Sequence, residues 1–388
     1  MATTPSSPPT VPRRPPPRPC GGPRPADARA APGPAPRRIA SNFAALSAAE
    51  VACRATSVAV TLYLAKCLGR AGYGRIEFAF NVVFWLVLLV RDGLEVIAAR
   101  EIARHPRLVR PLVNHILAVR GLLALGLLAG LVAVSALSLS GPTERRVLVL
   151  YGLMLLTTAL GLDFVYRGTE RMGLVAVSLI LRTAIYAAGV GFGVAGPAQI
   201  ARVPIALVTG EACGIALVWF GYARAYGLPR PSLRGRRALG VILSRGRPVY
   251  LIQAAQVVIG SIDLLVVGLM CRWADVGLYS APHRMVTAVL TFGLIFQQVV
   301  FPGLARSWRA TPQAGRRALD ALVRVLVLVL VPVAVGATAL AGPLVRFLFQ
   351  EDYAGASPLL AVGIWRAPLL TLAFLYQGAL IARNREAA

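Results

Sequence analysis

From Phe43 onward, runs of mainly apolar residues alternate with short connections that carry arginine. A bilayer core about 30 Å thick is crossed by roughly 20 such residues in a helix, and ten runs reach that length. They cover residues 43–65, 77–97, 112–138, 147–166, 174–195, 203–223, 248–270, 278–301, 320–341 and 358–381. None shows the period-two alternation of a membrane barrel strand, so the spans read as helices. A hydrophobic fraction of 57% and a mean hydropathy of +0.67 describe more apolar surface than one water-soluble core of 388 residues can hide. The expected fold is an all-α polytopic membrane protein with lipid as its solvent.

A net charge of +25 would point to nucleic acid on a soluble chain, but here the basic residues fall between apolar runs and form no continuous stripe. Their position instead reports orientation. Counted over alternate connections, Arg and Lys number 26 on one side and 8 on the other, the remaining 7 of the 41 lying inside spans or at their ends. Positive loops stay in the cytoplasm, which places both termini there and the chain in the inner, cytoplasmic membrane. Lys66 is the single lysine, so no individual arginine is marked out against lysine. Residues 1–38 hold 13 of the 28 prolines and no apolar stretch, the composition of a disordered cytoplasmic tail. The first apolar run is longer than a signal peptide's and has no small-residue cleavage site, so it reads as a retained helix. The five cysteines lack CxxC or zinc-ligand spacing and read as small apolar residues, with no metal site or cofactor expected.

The longest internal connection, residues 224–247, is rich in arginine and punctuated by Pro229, Pro231 and Gly235. It divides the chain into a six-helix bundle (39–223), a basic cytoplasmic linker (224–247) and a four-helix bundle (248–388). Arg234-Gly235-Arg236-Arg237 within it suits an anionic lipid surface. Gly74-Arg75-Ile76-Glu77 after span 1 and Gly277-Leu278-Tyr279-Ser280 after span 7 occupy equivalent places. Six is an even number, so both bundles begin on the same side, as repeats related by an axis along the membrane normal do.

At these residues the chain resembles the polysaccharide biosynthesis, or oligosaccharide flippase, family of the multidrug/oligosaccharidyl-lipid/polysaccharide exporter superfamily. Leu68-Gly69-Arg70-Ala71-Gly72-Tyr73-Gly74 is similar to that family's first turn, and Arg100-Glu101 to the end of its helix 2. Ser261-Ile262-Asp263-Leu264-Leu265, Asp275-Val276-Gly277-Leu278-Tyr279-Ser280-Ala281 and His283-Arg284 form the most specific block. Phe301 to Arg306 and Phe349 to Ala356 extend the likeness, which covers residues 40–385. The resemblance implies two bundles around a central cavity and a polyprenyl-pyrophosphate-linked glycan as cargo, with membrane lipids and glycan assembly enzymes as partners. The family usually has twelve to fourteen helices, which implies that the second bundle is incomplete relative to it.

A charge at a helix centre costs about 2.5–3.5 kcal/mol on insertion scales, so each needs a partner or a wet cavity. Glu50 and Arg54 stand four apart on one helical face. Either they neutralise each other, or Arg54 faces the substrate path with Glu50 as counter-ion. Arg284 either lines the cavity or bridges to Asp263. Asp263 is either held in a structural pair or available to couple an ion. Arg120 and Arg182 join a basic cavity, snorkel, or pair with Asp163 or Glu211. Arg91 and Asp92 read as an interfacial anchor, and Trp85, Trp219 and Trp365 as packing or interface residues. Without a phosphate loop, an HExxH motif or a serine, histidine and acid constellation, no catalytic residue is expected.

The function expected is therefore translocation of lipid-linked oligosaccharide by alternating access. A cation-coupled multidrug exporter is the nearest alternative, and would need an acidic, aromatic cavity. A membrane-embedded glycan polymerase or glycosyltransferase is the alternative of another class, but the outer loops are short. The longest, near Gln350 to Ala356, offers only Glu351 and Asp352.

Overall fold

A computed structural model of the chain describes residues 36–138, 141–169, 171–230 and 236–382, among which every regular element is a helix. The proline-rich segment before residue 36, the Arg234-Gly235 step and the side chains of Asp92, Arg236 and Arg237 lie outside the described residues.

Helix α1 (Pro36–Arg104) is broken at Gly69, where φ is 66° and ψ is 175°. That backbone conformation is essentially restricted to glycine, so the turn falls inside the Leu68-to-Gly74 motif for a steric reason. Six helices follow before the basic connection, the first five being α2 (Val109–Ser138), α3 (Pro142–Gly152), α4 (Met154–Ala159), α5 (Asp163–Gly168) and α6 (Met172–Gly193). α7 (Arg202–Tyr226) closes this first group. Side-chain bonds set the directions of the two limbs of α1. Cys53 and Tyr63 donate in that order to the carbonyls of Leu179 and Val194, so the first limb runs parallel to α6. In the second limb Arg75 pairs with Glu144 in α3, while Glu95 pairs with Arg120, which reaches Gly161 before α5. The second limb therefore runs along α3–α5, opposite to α6.

The second group contains α8 (Arg236–Met270), α9 (Trp273–Ala310), α10 (Pro312–Ala339), α11 (Ala341–Phe349), α12 (Ser357–Gly363) and α13 (Arg366–Ala382). α9 is its centre, packed against α10, α12 and α13, while α1 packs against α3–α6 on one side and against α8 and α9 on the other. Seven stretches of the described residues are long and apolar enough to cross a membrane, and the first, Ala48–Arg91, includes both limbs of α1. The count of ten remains an expectation from the sequence. Residues 147–166, read as one continuous span, are three helices, with non-helical geometry at Leu162 before α5. The short α11 was not anticipated.

Large apolar side chains such as Leu125, Phe192, Leu328 and Phe347 face outward, Phe192 with 96% of its surface exposed. Such faces suit lipid and would be an aggregation hazard in water. Inside, one apolar cluster joins Tyr73, Ile76 and Val83 of α1 to Ala281, Val345, Phe349 and Tyr353 of the second group. The equivalent glycines of the sequence meet there. A Cβ on Gly74 would collide with the carbonyl oxygen of Trp273, and one on Gly277 with that of Arg70. The Phe78 ring lies 5.5 Å from that of Trp273 beside the same contact, and the Tyr353 hydroxyl donates to the Ala65 carbonyl at 3.2 Å. The two groups are thus sealed together at the end that carries the Gly69 turn.

Candidate functional site: a two-arginine cavity between the helical groups

Where the first limb of α1 faces α9, the helices separate around a cavity of about 170 Å³. Val51, Arg54, Ser57 and Thr61 line it from α1, and Arg284, Thr287 and Thr291 from α9. Among the described residues, no carboxylate lines it. Ser57, Thr287 and Thr291 donate to carbonyls of their own helices, which leaves their oxygens as acceptors toward the space. At 1.5 Å per residue, Arg284 lies about 10 Å below Gly277, and Arg54 about 22 Å below Gly69. The two guanidinium groups therefore stand at different depths.

Arg54 is exposed and makes no ion pair among the described residues; in particular it is not bonded to Glu50, so the local-pair reading of those two residues does not hold. Four residues of helix place their backbones on one face, but a tertiary cavity draws the arginine away. Glu50 is half-buried and does not line the cavity. Arg284 carries a bidentate bond from Nε and Nη2 to Glu77 of α1, at 2.8–3.2 Å, with its guanidinium 5.3 Å from the centre of the Phe80 ring. The alternative reading of Arg284, a bridge to Asp263, is not what the structure shows: Arg284 pairs with Glu77 of α1, and Asp263 with Arg366. Glu77 was visible in the sequence only as the last residue of a turn motif.

Asp263 belongs to a separate cluster on the far side of α9. Arg366 and the Tyr279 hydroxyl donate to its Oδ2, and His283 Nδ1 stands 3.5 Å away. Arg366 also holds the carbonyls of Ile259 and Gly260. Arg182 lies within the first group, bonded to both Asp163 and Glu211 and to the Ser178 hydroxyl. Arg120 is fully buried, held by Glu95 at 3.3 Å, by the carbonyls of Arg91 and Gly161, and over the Phe164 ring. Of the four arginines singled out in the sequence, the fold brings Arg54 and Arg284 to one cavity and keeps Arg120 and Arg182 inside the first bundle. Asp163 and Glu211, which hold Arg182, were candidates in the sequence, whereas Glu95, which holds Arg120, carries no motif that separates it from other acids near span ends.

Two helical groups packed around an interfacial cavity make a fold that this chain shares with solved membrane transporters and flippases. One such structure, a lipid II flippase MurJ in an inward closed conformation, is 13% identical, with a TM-score of 0.66 over 88% of this chain and 76% of that one. A MATE structure in complex with MaD3S is 11% identical, with a TM-score of 0.53 over 90% and 82%. A superfamily transporter from Pyrococcus furiosus, described as having a binding pocket of reverse polarity, is 10% identical, with a TM-score of 0.52 over 90% and 82%. No curated protein matches the chain significantly. The model of the polysaccharide biosynthesis protein family matches residues 39–308, and the chain belongs to that family.

Proposed function

We propose that the chain moves a glycan linked through phosphate or pyrophosphate to a polyprenyl lipid across the cytoplasmic membrane, by alternating access of two helical lobes. The observation that carries this reading is the cavity between the groups, faced by Arg54 and Arg284 and lined by no carboxylate among the described residues. Guanidinium forks bind phosphate oxygens through paired, charge-assisted bonds, whereas a cavity for cationic drugs needs acidic groups. The glycan crosses in the wet space while the lipid tail stays in the bilayer.

A volume of about 170 Å³ is below the roughly 300–1,000 Å³ of drug-sized ligand sites. The lobes must therefore part to admit a sugar, and the sealed Gly74–Gly277 end is the outer one if the termini are cytoplasmic, as the 26-to-8 bias in basic residues supports. The headgroup meets Arg54 first and Arg284 deeper. Without a nucleotide site, an uphill step draws on an ion gradient or on the membrane potential, worth about 2.3 kcal/mol per charge per 100 mV.

The test is an accessibility assay of lipid-linked oligosaccharide in reconstituted vesicles. A hydrogen bond to a charged group contributes about 1.5–3 kcal/mol, so Arg54→Ala and Arg284→Ala should each slow translocation about 10- to 100-fold. Undiminished transport in both variants would remove these residues, and this account, from consideration.

A further inference from the structure

The Arg284 guanidinium is shared between two places. Its Nε–Nη2 edge is held by Glu77, whose side chain is only 8% exposed, while the residue also lines the cavity and keeps 35% of its side chain exposed. Glu77 comes from the second limb of α1 and Arg284 from α9, so the pair crosses the seam between the helical groups. It lies one helical turn from Gly74 and two from Gly277, at the sealed end. No other ion pair joins α1 to α9 among the described residues.

A carboxylate and a phosphate present the same chemistry to a guanidinium, two anionic oxygens set to accept a fork. Glu77 therefore occupies Arg284 as a tethered anion does. A phosphate arriving at Arg284 from the cavity comes close enough to the carboxylate for like-charge repulsion, in a setting that screens charge poorly. The two anions compete for one cation, and the tethered one is also a fastening between the lobes.

Building on the phosphate reading of the cavity, we propose that Glu77 is a positioning residue, a built-in substitute for the substrate's phosphate on Arg284. Its displacement by a phosphate- or pyrophosphate-bearing headgroup releases the seam at Gly74 and Gly277. The empty protein is held shut at that end, and the same cation that recognises cargo reports its arrival. Among the described residues, what remains of the seam after displacement is apolar packing and the Tyr353–Ala65 bond, neither of which holds the lobes by charge attraction as the ion pair does.

The full chain in phosphatidylcholine nanodiscs, with its native cysteines replaced, provides the test. Spin labels at Arg70→Cys and Arg272→Cys, both exposed and flanking the seam, report the separation of the lobes by electron–electron distance. One arm adds inorganic pyrophosphate to the buffer, and the other dopes the disc with a polyprenyl pyrophosphate, which separates free anion from lipid headgroup. In the otherwise unaltered chain the distance should be short and should lengthen with the probe. Glu77→Gln should be long from the outset, and should bind pyrophosphate more tightly; if the latch leaves Arg284 free a tenth of the time, the gain is about tenfold. The exchange Glu77→Arg with Arg284→Glu should restore the short distance and abolish the response to either probe.

A Glu77→Gln protein that stays short and responds like the parent overturns the proposal, as does a parent that binds pyrophosphate without any change in distance. In both of those outcomes the phosphate cavity survives. Failure of the parent to bind either probe, measured by phosphorus NMR, instead removes the underlying reading of the cavity. The distance response of the parent and of the charge exchange keeps the test decisive even if Glu77→Gln fails to fold.

Discussion

Four arginines that look alike in the sequence have four different energetic situations. Arg120 has no exposed surface and an acid, two carbonyls and an aromatic ring around its guanidinium. Removing it leaves Glu95 without that buried cation, and breaking a buried pair costs about 3–5 kcal/mol. Arg120→Ala should therefore lower the thermal midpoint and the monodisperse yield in detergent, and Arg120→Lys should recover little because an ammonium cannot span the same set of acceptors. Arg54 is the opposite case. With no ion pair to lose among the described residues, Arg54→Ala should leave thermal stability within about 0.5 kcal/mol while depressing transport. Separate assays of unfolding and translocation distinguish the two residues. The sequence showed that each charge needs a partner or a cavity and named Asp163 and Glu211, which both hold Arg182, but not the partners of Arg120 and Arg284, because these are 25 to 207 residues away.

Elements were legible where backbone chemistry is local. The Gly69 turn follows from a motif rich in glycine, and its φ of 66° with ψ of 175° explains the residue. Gly69→Ala should cost about 1–3 kcal/mol, read as a lower midpoint in thermal unfolding of the purified protein. Proline begins α3 and α10, and Thr311 caps α10 by accepting from the Ala314 amide at 3.1 Å. The break between α4 and α5 was not legible. A helix interrupted within a membrane exposes carbonyls that lipid cannot bond, which argues for a continuous span. Here two distant side chains satisfy them: Trp219 donates to Leu160 at 2.8 Å, and Arg120 reaches Gly161. Trp219→Phe should destabilise by about 1–3 kcal/mol, the cost of leaving the Leu160 carbonyl without its donor, again measured by thermal unfolding.

At the scale of the whole molecule, the two helical groups meet through glycines where any side chain would intrude. Gly277→Leu should wedge that contact open. Ser280, one turn further along α9, has no exposed surface, so a Ser280→Cys thiol in an otherwise cysteine-free chain should resist a membrane-impermeant reagent. It should become reactive when Gly277→Leu is added. Equal, slow labelling in both proteins would mean that the seam tolerates a side chain and is not the closure that the packing describes.

Membrane residence, helical class and family were determined by the sequence alone, since each rests on local quantities: apolar run length, the lack of strand periodicity and contiguous motifs. The equivalence of Gly74 and Gly277 was also visible there, as a match between two turns. That these glycines touch, that Arg284 is held by Glu77 rather than Asp263, and that Arg54 and Arg284 share a cavity that Arg120 and Arg182 do not reach were decided only by tertiary structure. A long arginine can satisfy its charge in any of several directions, and which acid or space lies in reach depends on helices distant in the chain packing at one depth in the membrane.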